Sequence, residues 1–418
     1  MQAVLDRHSI AILDKVAFLL EFLKWYVRLG DMKYFFVLGN HPELSVAEIF
    51  GVLGERVKYL SFASGALVIE TADLDLIALN KRLGGTIKMG EVLDLVPDLA
   101  DRNIKEPIKN ILAMATKPLF GISLYGARHE FLKLALTLKK ELKIAERSPR
   151  YVTSREKVLS SVVVEQNKLT SGGTEIVLIK THNGYWLGKT SVVQDFKNLS
   201  ARDYGRPSRD DASGMLPPKL AQMMINLACA DLKKKLLDPF CGSGTIIGEA
   251  VLMGYTKLIG TDLSEKAVID SQSNLQFIIS NFQKISKLQS PRPEIFKCDV
   301  RRLSAEIKAG EIDFIVTEPY LGPQRAGAEP MKVKRELEAL YSEALGQFKK
   351  VLASGGRVVM IWPRLISGQR HLDIEPRIEG FKIVNVWPRQ LAELAPRELV
   401  YGREGQRVWR KIVILEKK

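Results

Sequence analysis

Two rhythms of apolar and polar positions follow one another along the chain. From Met32 onward, short runs predict strands at Tyr34–Leu38, Val57–Leu60, Ala66–Ile69 and Gly85–Val92, with helical spacing at Ser45–Leu53 and Leu74–Leu83. Ser45 followed three residues later by Glu48 predicts a capping box. These elements make a small α+β unit over 32–103, expected to be a ferredoxin-like layer of helices on an antiparallel sheet. A second unit, 104–195, carries predicted strands at Phe120–Leu124, Tyr151–Thr153, Glu175–Lys180 and Tyr185–Lys189, and helices at His129–Lys143 and Arg155–Val164. Asn183–Gly184, set between apolar alternations, predicts a hairpin. Residues 196–215, rich in Gly, Pro, Ser and charge, read as a linker. Over 216–418 the rhythm becomes strand and helix in alternation, which predicts a doubly wound parallel sheet closed by a hairpin of Ile383–Val386 and Val408–Leu415.

The most apolar long stretch, residues 10–28, is interrupted by Asp14, Lys15, Glu21 and Lys24, too charged for a membrane span or the core of a signal peptide. Its spacing fits an amphipathic helix docking on a surface; the alternative, since Met32 opens a strand as a first residue would, is a dispensable extension over 1–31. No membrane attachment is expected. With 418 residues, 46% hydrophobic and 26% charged, the composition excludes fibrous, disordered and disulfide-scaffold classes. The only cysteines, Cys229, Cys241 and Cys298, form no metal-spaced set, so no metal is expected and a reducing cytoplasm fits. Lys and Arg number 62 against 48 Asp and Glu, a net charge of +14 that points to a polyanionic partner. The basic residues crowd the second unit around Lys139, Lys140, Arg150, Arg155 and Lys157.

The informative segment is Leu236–Thr245, LLDPFCGSGT, a strand ending in an acid and a glycine turn opening a helix. Gly242 and Gly244 permit a tight turn and close backbone approach to a ligand, with Phe240 and Thr245 lining it. No Lys follows the glycines, so this is not a P-loop. Asp262 and Asp299 end the next two predicted strands, where carboxylates receive ribose hydroxyls and flank an adenine pocket. An acid at Asp238 repels a dinucleotide pyrophosphate and attracts a cation, which favours the sulfonium and amino group of S-adenosylmethionine over NAD.

After the next strand comes Thr317–Glu318–Pro319–Tyr320–Leu321–Gly322. With the DPFCGSGT loop, this resembles the amino-methyltransferases, whose motif is Asp/Asn-Pro-Pro-Tyr/Phe. A conjugated exocyclic amine is a poor nucleophile, so an acid and a proline carbonyl accept its N–H bonds while an aromatic ring stacks on a base taken out of its helix. The segments Arg202–Pro207, Gly214–Ala221 and Met224–Ala228 resemble the linker and first helix of THUMP-containing tRNA guanine-N2 methyltransferases, a likeness spanning 32–418. That resemblance implies an N-terminal ferredoxin-like domain, a THUMP domain binding tRNA over 104–195, and a Rossmann-like methyltransferase domain over 216–418. It implies methyl transfer from S-adenosylmethionine to N2 of a guanosine in tRNA, at position 10. It further assigns Glu318, Pro319 and Tyr320 to catalysis and Arg150, Arg155, Lys157 and Arg206 to RNA. The chain departs from the family's Asp-Pro-Pro-Tyr-Gly by a longer acid and by an aromatic one place early. Two alternatives stay open: adenine-N6 methylation of other RNA or DNA, and a tRNA-binding protein whose catalytic site has decayed.

Overall fold

The computed structural model describes residues 31–418 apart from 55–56, 114–118, 130, 145–149, 155, 157, 209–214, 283–291, 324–328, 368–369, 404–405 and 407. The helix expected within 10–28 lies outside the described residues, as do Arg155 and Lys157. The chain forms two compact units, each assembled from separated segments. One takes the described residues of Met1–Val37, Glu55–Leu79 and Lys88–Val193, and the other those of Leu38–Gly54, Asn80–Ile87 and Gln194–Lys418.

In chain order the first half contains β1 (Met32–Leu38), α1 (Pro42–Leu53), β2 (Lys58–Ala63), β3 (Ala66–Thr71), α2 (Leu76–Arg82), β4 (Thr86–Val96), α3 (Asp101–Ala113), β5 (Leu119–Tyr125), α4 (Leu132–Ile144), β6 (Arg150–Tyr151), α5 (Ser161–Gln166), β7 (Thr174–Thr181) and β8 (Gly184–Val193). The strands form a single sheet of order β2-β3-β1-β4-β8-β7-β5-β6. Thus β4, longer than expected at 11 residues, pairs antiparallel with β8 and makes the strands of 32–103 continuous with those of 104–195. The Asn-Gly hairpin forms as expected, with Thr181 opposite Gly184. Ile104, Ile108 and Ile111 of α3 and Leu134 and Leu138 of α4 bury apolar side chains with Ile122, Ile176 and Leu178 of the sheet. Inside this unit the carboxylate of buried Glu175 accepts from Lys88 Nζ (2.6 Å), Ser123 Oγ (2.6 Å) and Thr190 Oγ1 (2.5 Å), so a charge inside the sheet is fully partnered.

Three expectations change here. The helix expected over Arg155–Val164 shrinks to α5, because Ser160, whose side chain accepts from the Val163 N–H, caps it late. Ser45 is not a cap: α1 begins at Pro42 behind His41, and the Ser45 hydroxyl lies 2.9 Å from the Gly85 carbonyl. Glu48, fully buried, accepts instead from the N–H groups of Gly84 and Gly85 and from Asn226 Nδ2, each at 2.8 Å. The acid spacing therefore serves tertiary structure. The expected linker opens with a helix, α6 (Phe196–Tyr204), capped by Asp195 and burying Leu199 and Arg202.

The second unit continues with α7 (Pro218–Ala228), β9 (Leu236–Asp238), α8 (Thr245–Leu252), β10 (Leu258–Asp262), α9 (Glu265–Phe282), β11 (Glu294–Lys297), β12 (Ile312–Thr317), α10 (Pro330–Val351), β13 (Leu352–Ser367), β14 (Arg370–Asp373), β15 (Phe381–Ile383), β16 (Val400–Tyr401) and β17 (Val408–Lys417). The sheet order is β11-β10-β9-β12-β13-β17-β15. Its first five strands are mutually parallel, and β17 runs antiparallel between β13 and β15. One core, with α7 and α8, includes Leu236, Val316 and Val359; the other, with α10, includes Leu237, Ile315 and Val358. Alternate residues of each strand thus feed opposite faces, which makes the sheet doubly wound. The chain runs outward from β9 to β11 and returns to place β12 on the other side of β9. The switch point therefore lies at the carboxyl ends of β9 and β12, the place where open α/β sheets bind ligands.

Candidate active site

β9 ends at Asp238, buried to 1% exposure, and β12 ends at Thr317, also buried. The Thr317 hydroxyl donates to Asp238 Oδ1 at 2.8 Å across 79 residues of chain, so the two sequence motifs meet at the switch point. The Phe240 N–H donates to the same oxygen at 3.3 Å. Burial pushes the Asp238 carboxyl up to about 7, and the charges of Asp262 and Glu318 push in the same direction.

The glycine turn follows. Gly242 has φ +50° and Gly244 φ +81°, and α8 starts immediately behind them. A Cβ on Gly242 would meet nothing, whereas one on Gly244 would come 2.3 Å from Ser271 Oγ. Gly242 therefore shapes an open cradle, and Gly244 allows α9 to pack close. Asp262, at the end of β10, accepts the Gly242 N–H through Oδ2 at 3.0 Å and the Ser264 N–H through Oδ1 at 2.9 Å. Asn274 of α9 donates to the Ser243 carbonyl and to the Ser208 carbonyl, both at 2.9 Å, which ties the turn to the segment that enters the unit. This cradle, bordered by a buried acid and a half-buried one, fits a ligand carrying both positive charge and hydroxyl groups.

The remaining assignments divide. Glu318 and Pro319 follow β12 directly, and the Tyr320 side chain is 56% exposed while its carbonyl accepts from Tyr341 Oη of α10 at 2.6 Å. Phe240 packs beside the α10 core. Asp299 caps a short 3-10 turn, accepting from the Arg301 N–H at 3.0 Å, and remains half-buried beyond β11. Thr245 is buried, and its hydroxyl oxygen accepts from Arg206 Nη1 at 2.6 Å. Arg206, 4% exposed, is thus internal, a correction to its expected place on an RNA surface. Its position in a polar segment, between Gly205 and Pro207, gives no sign of burial. Arg150 lies exposed on β6, and Lys139 and Lys140 are exposed on α4.

The residue that sequence reading misses is Arg410 of β17, whose Nε lies 2.5 Å from Glu318 Oε1, both side chains being 13% exposed. Burial raises the Glu318 carboxyl while the Arg410 charge lowers it. No motif links residues 92 positions apart, and the sheet alone brings them together.

Residues 206–387 match the family UPF0020, described as RMKL-like, methyltransferase domain. A Methanothermococcus thermolithotrophicus protein described as probable tRNA (guanine(10)-N2)-dimethyltransferase is 31% identical over 159 residues, 38% of this chain and 85% of the relative. The chain belongs to the tRNA (guanine(10)-N2)-dimethyltransferase family. A Pyrococcus abyssi tRNA (guanine(10)-N2)-dimethyltransferase is 24% identical over 361 residues, 84% of this chain and 94% of that one. The chain spans half or less of two further curated relatives of the same description, 42% and 50% of their lengths. TrmN from Thermus thermophilus shares the fold at 19% identity and a TM-score of 0.51, covering 93% of this chain and 100% of that one. For this tRNA (guanine(10)-N2)-dimethyltransferase family member, the match to the methyltransferase-domain model includes Asp238 and Glu318 but stops before Arg410. Among the described residues no helix is long and apolar enough to cross a membrane, and no cluster of three metal-ligating side chains occurs.

Proposed function

We propose that the protein transfers methyl groups from S-adenosylmethionine to the exocyclic N2 of a guanosine in tRNA, at position 10. The observation that carries the reading is the Thr317–Asp238 hydrogen bond, which joins the cofactor turn to the Glu318–Tyr320 segment at the switch point of a chain of this family. Asp238, the Gly242 turn and Asp262 would hold the cofactor, with Asp299 and Phe240 nearer its base. S-adenosylmethionine would supply a methyl group on a positively charged sulfur, which leaves as a neutral thioether while the amine nitrogen takes the carbon and releases one proton to solvent. Glu318 and the Pro319 carbonyl accept the N–H bonds of that amine and aim its lone pair, and the exposed Tyr320 ring stacks on the flipped base. Tyr341, by holding the Tyr320 carbonyl, fixes the path of this segment.

Domains in this reading are 32–103, a THUMP RNA-binding domain over 104–195, a linker over 196–215 and the methyltransferase domain over 216–418. Exposed Arg150, Lys139 and Lys140 support phosphate contacts in the second of these. Cytoplasmic residence follows from the substrate. No observation favours an adenine substrate, and the assembled cofactor turn speaks against a decayed site.

The test is incubation of purified protein with unmodified tRNA and S-adenosylmethionine, followed by mass spectrometry of nucleosides and of the ribonuclease fragments that contain position 10. N2-methylated and N2-dimethylated guanosine at position 10 are expected. N6-methyladenosine would favour the adenine reading, and no modified nucleoside would overturn both.

A further inference from the structure

Glu318 stands where the family motif places the shorter aspartate, and among the described residues its carboxylate has one hydrogen-bonding partner, Arg410. Arg410 sits on the antiparallel strand β17, opposite Pro363 of β13 and Tyr401 of β16. Its guanidinium binds Oε1 and leaves Oε2 for another donor. On the other side of the segment, Tyr341 holds the Tyr320 carbonyl. Glu318 is therefore constrained at its tip and the backbone two residues on is constrained as well.

We infer that Arg410 is a positioning residue that adapts this site to a glutamate, drawing the longer side chain aside by Oε1 so that Oε2 faces the substrate amine as an ionised acceptor. This rests on the proposed methyl transfer. Among the described residues, the charged and titratable groups facing Glu318 are Asp238 from the end of β9, Tyr341 from α10 and Arg410 from β17. Of these, Arg410 alone supplies positive charge, and Asp238 supplies a carboxyl that opposes ionisation of Glu318. An opposite charge at this distance favours the charged form of a buried acid by a pH unit or more.

The test compares wild type, Arg410→Gln and Arg410→Lys on two readouts: titration of the Glu318 carboxyl by 13C NMR of glutamate-labelled protein, assigned with Glu318→Gln, and single-turnover methylation of tRNA across pH. In Arg410→Gln the titration midpoint and the acid limb of the rate should both move up by about one unit or more, so at a fixed pH on that limb the rate falls about tenfold and recovers as the pH is raised. Arg410→Lys, which keeps the charge, should lie between. S-adenosylhomocysteine binding by calorimetry should stay within about twofold in both, which also reports that the variants fold. A midpoint unmoved in Arg410→Gln overturns the role of Arg410 and leaves the proposed function standing. A shifted midpoint in a protein whose wild type leaves tRNA unmodified overturns the proposed function instead.

Discussion

The Gly242 N–H donates to Asp262 Oδ2 at 3.0 Å, so the carboxylate that ends one strand is oriented by the turn that follows its neighbour. The same carboxylate receives the Ser264 N–H, which turns the chain into α9. With two donors already in place, the side chain is held before any ligand arrives. Asp262→Ala should weaken binding of S-adenosylmethionine or its demethylated product by about 1–3 kcal/mol, through loss of a charge-assisted hydrogen bond. Titration calorimetry checks this; unchanged affinity would remove Asp262 from the site.

The two turn glycines should separate stability from binding. Gly242→Ala places a methyl in open space, so it should cost only the left-handed backbone penalty, about 1–2 kcal/mol, while obstructing the ligand. Gly244→Ala adds a collision with Ser271 and should destabilise more. Urea melts beside calorimetry distinguish them, and equal destabilisation would contradict the geometry.

Asp238 should make the ligand-free protein less stable as pH rises. Its folded carboxyl sits at about 7, above the ordinary 3.8, so the folded state holds a proton that the unfolded state has released. That contribution is complete below about 4 and is lost as pH climbs through about 7. Asp238→Asn can still accept from Thr317 and should melt at higher temperature than wild type above pH 7, with no gain near pH 4, while binding the cofactor more weakly. Glu48, also pushed up to about 7, is unchanged in the comparison and cancels. Melting curves that stay parallel across this range would contradict it.

Arg202 of α6 binds both oxygens of Glu249 on α8, at 2.7 and 3.0 Å, and Gln222 adds a third bond at 2.9 Å. Both charged side chains are buried. Arg202→Ala should therefore cost about 3–5 kcal/mol, since it strands a buried carboxylate, and Arg202→Met with Glu249→Leu should recover much of the loss. Equilibrium urea unfolding of the two variants measures it.

Arg150→Gln should weaken binding of every tRNA to a similar degree and flatten the salt dependence by about 1 in slope, as loss of a phosphate contact does. Filter binding across a salt series would show it, and a loss confined to one tRNA would point to base reading instead.

Much of the second unit was readable because parallel strands and their helices announce themselves locally, by apolar runs bounded by turn residues. The glycine turn and the acids at 238 and 262 fell where the rhythm put them. What escaped was tertiary. Arg410 belongs to a strand, VWRKIVILEK, that carries no motif, and only the insertion of β17 beside β13 brings it to Glu318. The Ser45–Glu48 spacing has the form of a cap, yet both side chains reach residues about forty positions away. Helix α6 hides in a polar stretch, since 9 residues with only Leu199 and Arg202 buried leave almost no periodicity. Arg206 looked like a surface cation because a buried arginine is rare without a visible partner, and its partner is a threonine of the cofactor turn.

The interleaving of the two units bears on how such a protein can change over generations. The helix at 42–53 and the stretch at 80–87 are spliced into the catalytic body, where Glu48 and Arg82 grip Asn226. A recombination event that exchanged everything ahead of residue 216 for a relative's sequence would exchange those wall pieces too, leaving Asn226 to face a stranger. Crossovers between the codons for residues 54 and 80 would cut through such a set. The catalytic body therefore cannot travel between genes as one contiguous cassette, and its evolution is coupled to that of the sheet through which its own chain repeatedly passes.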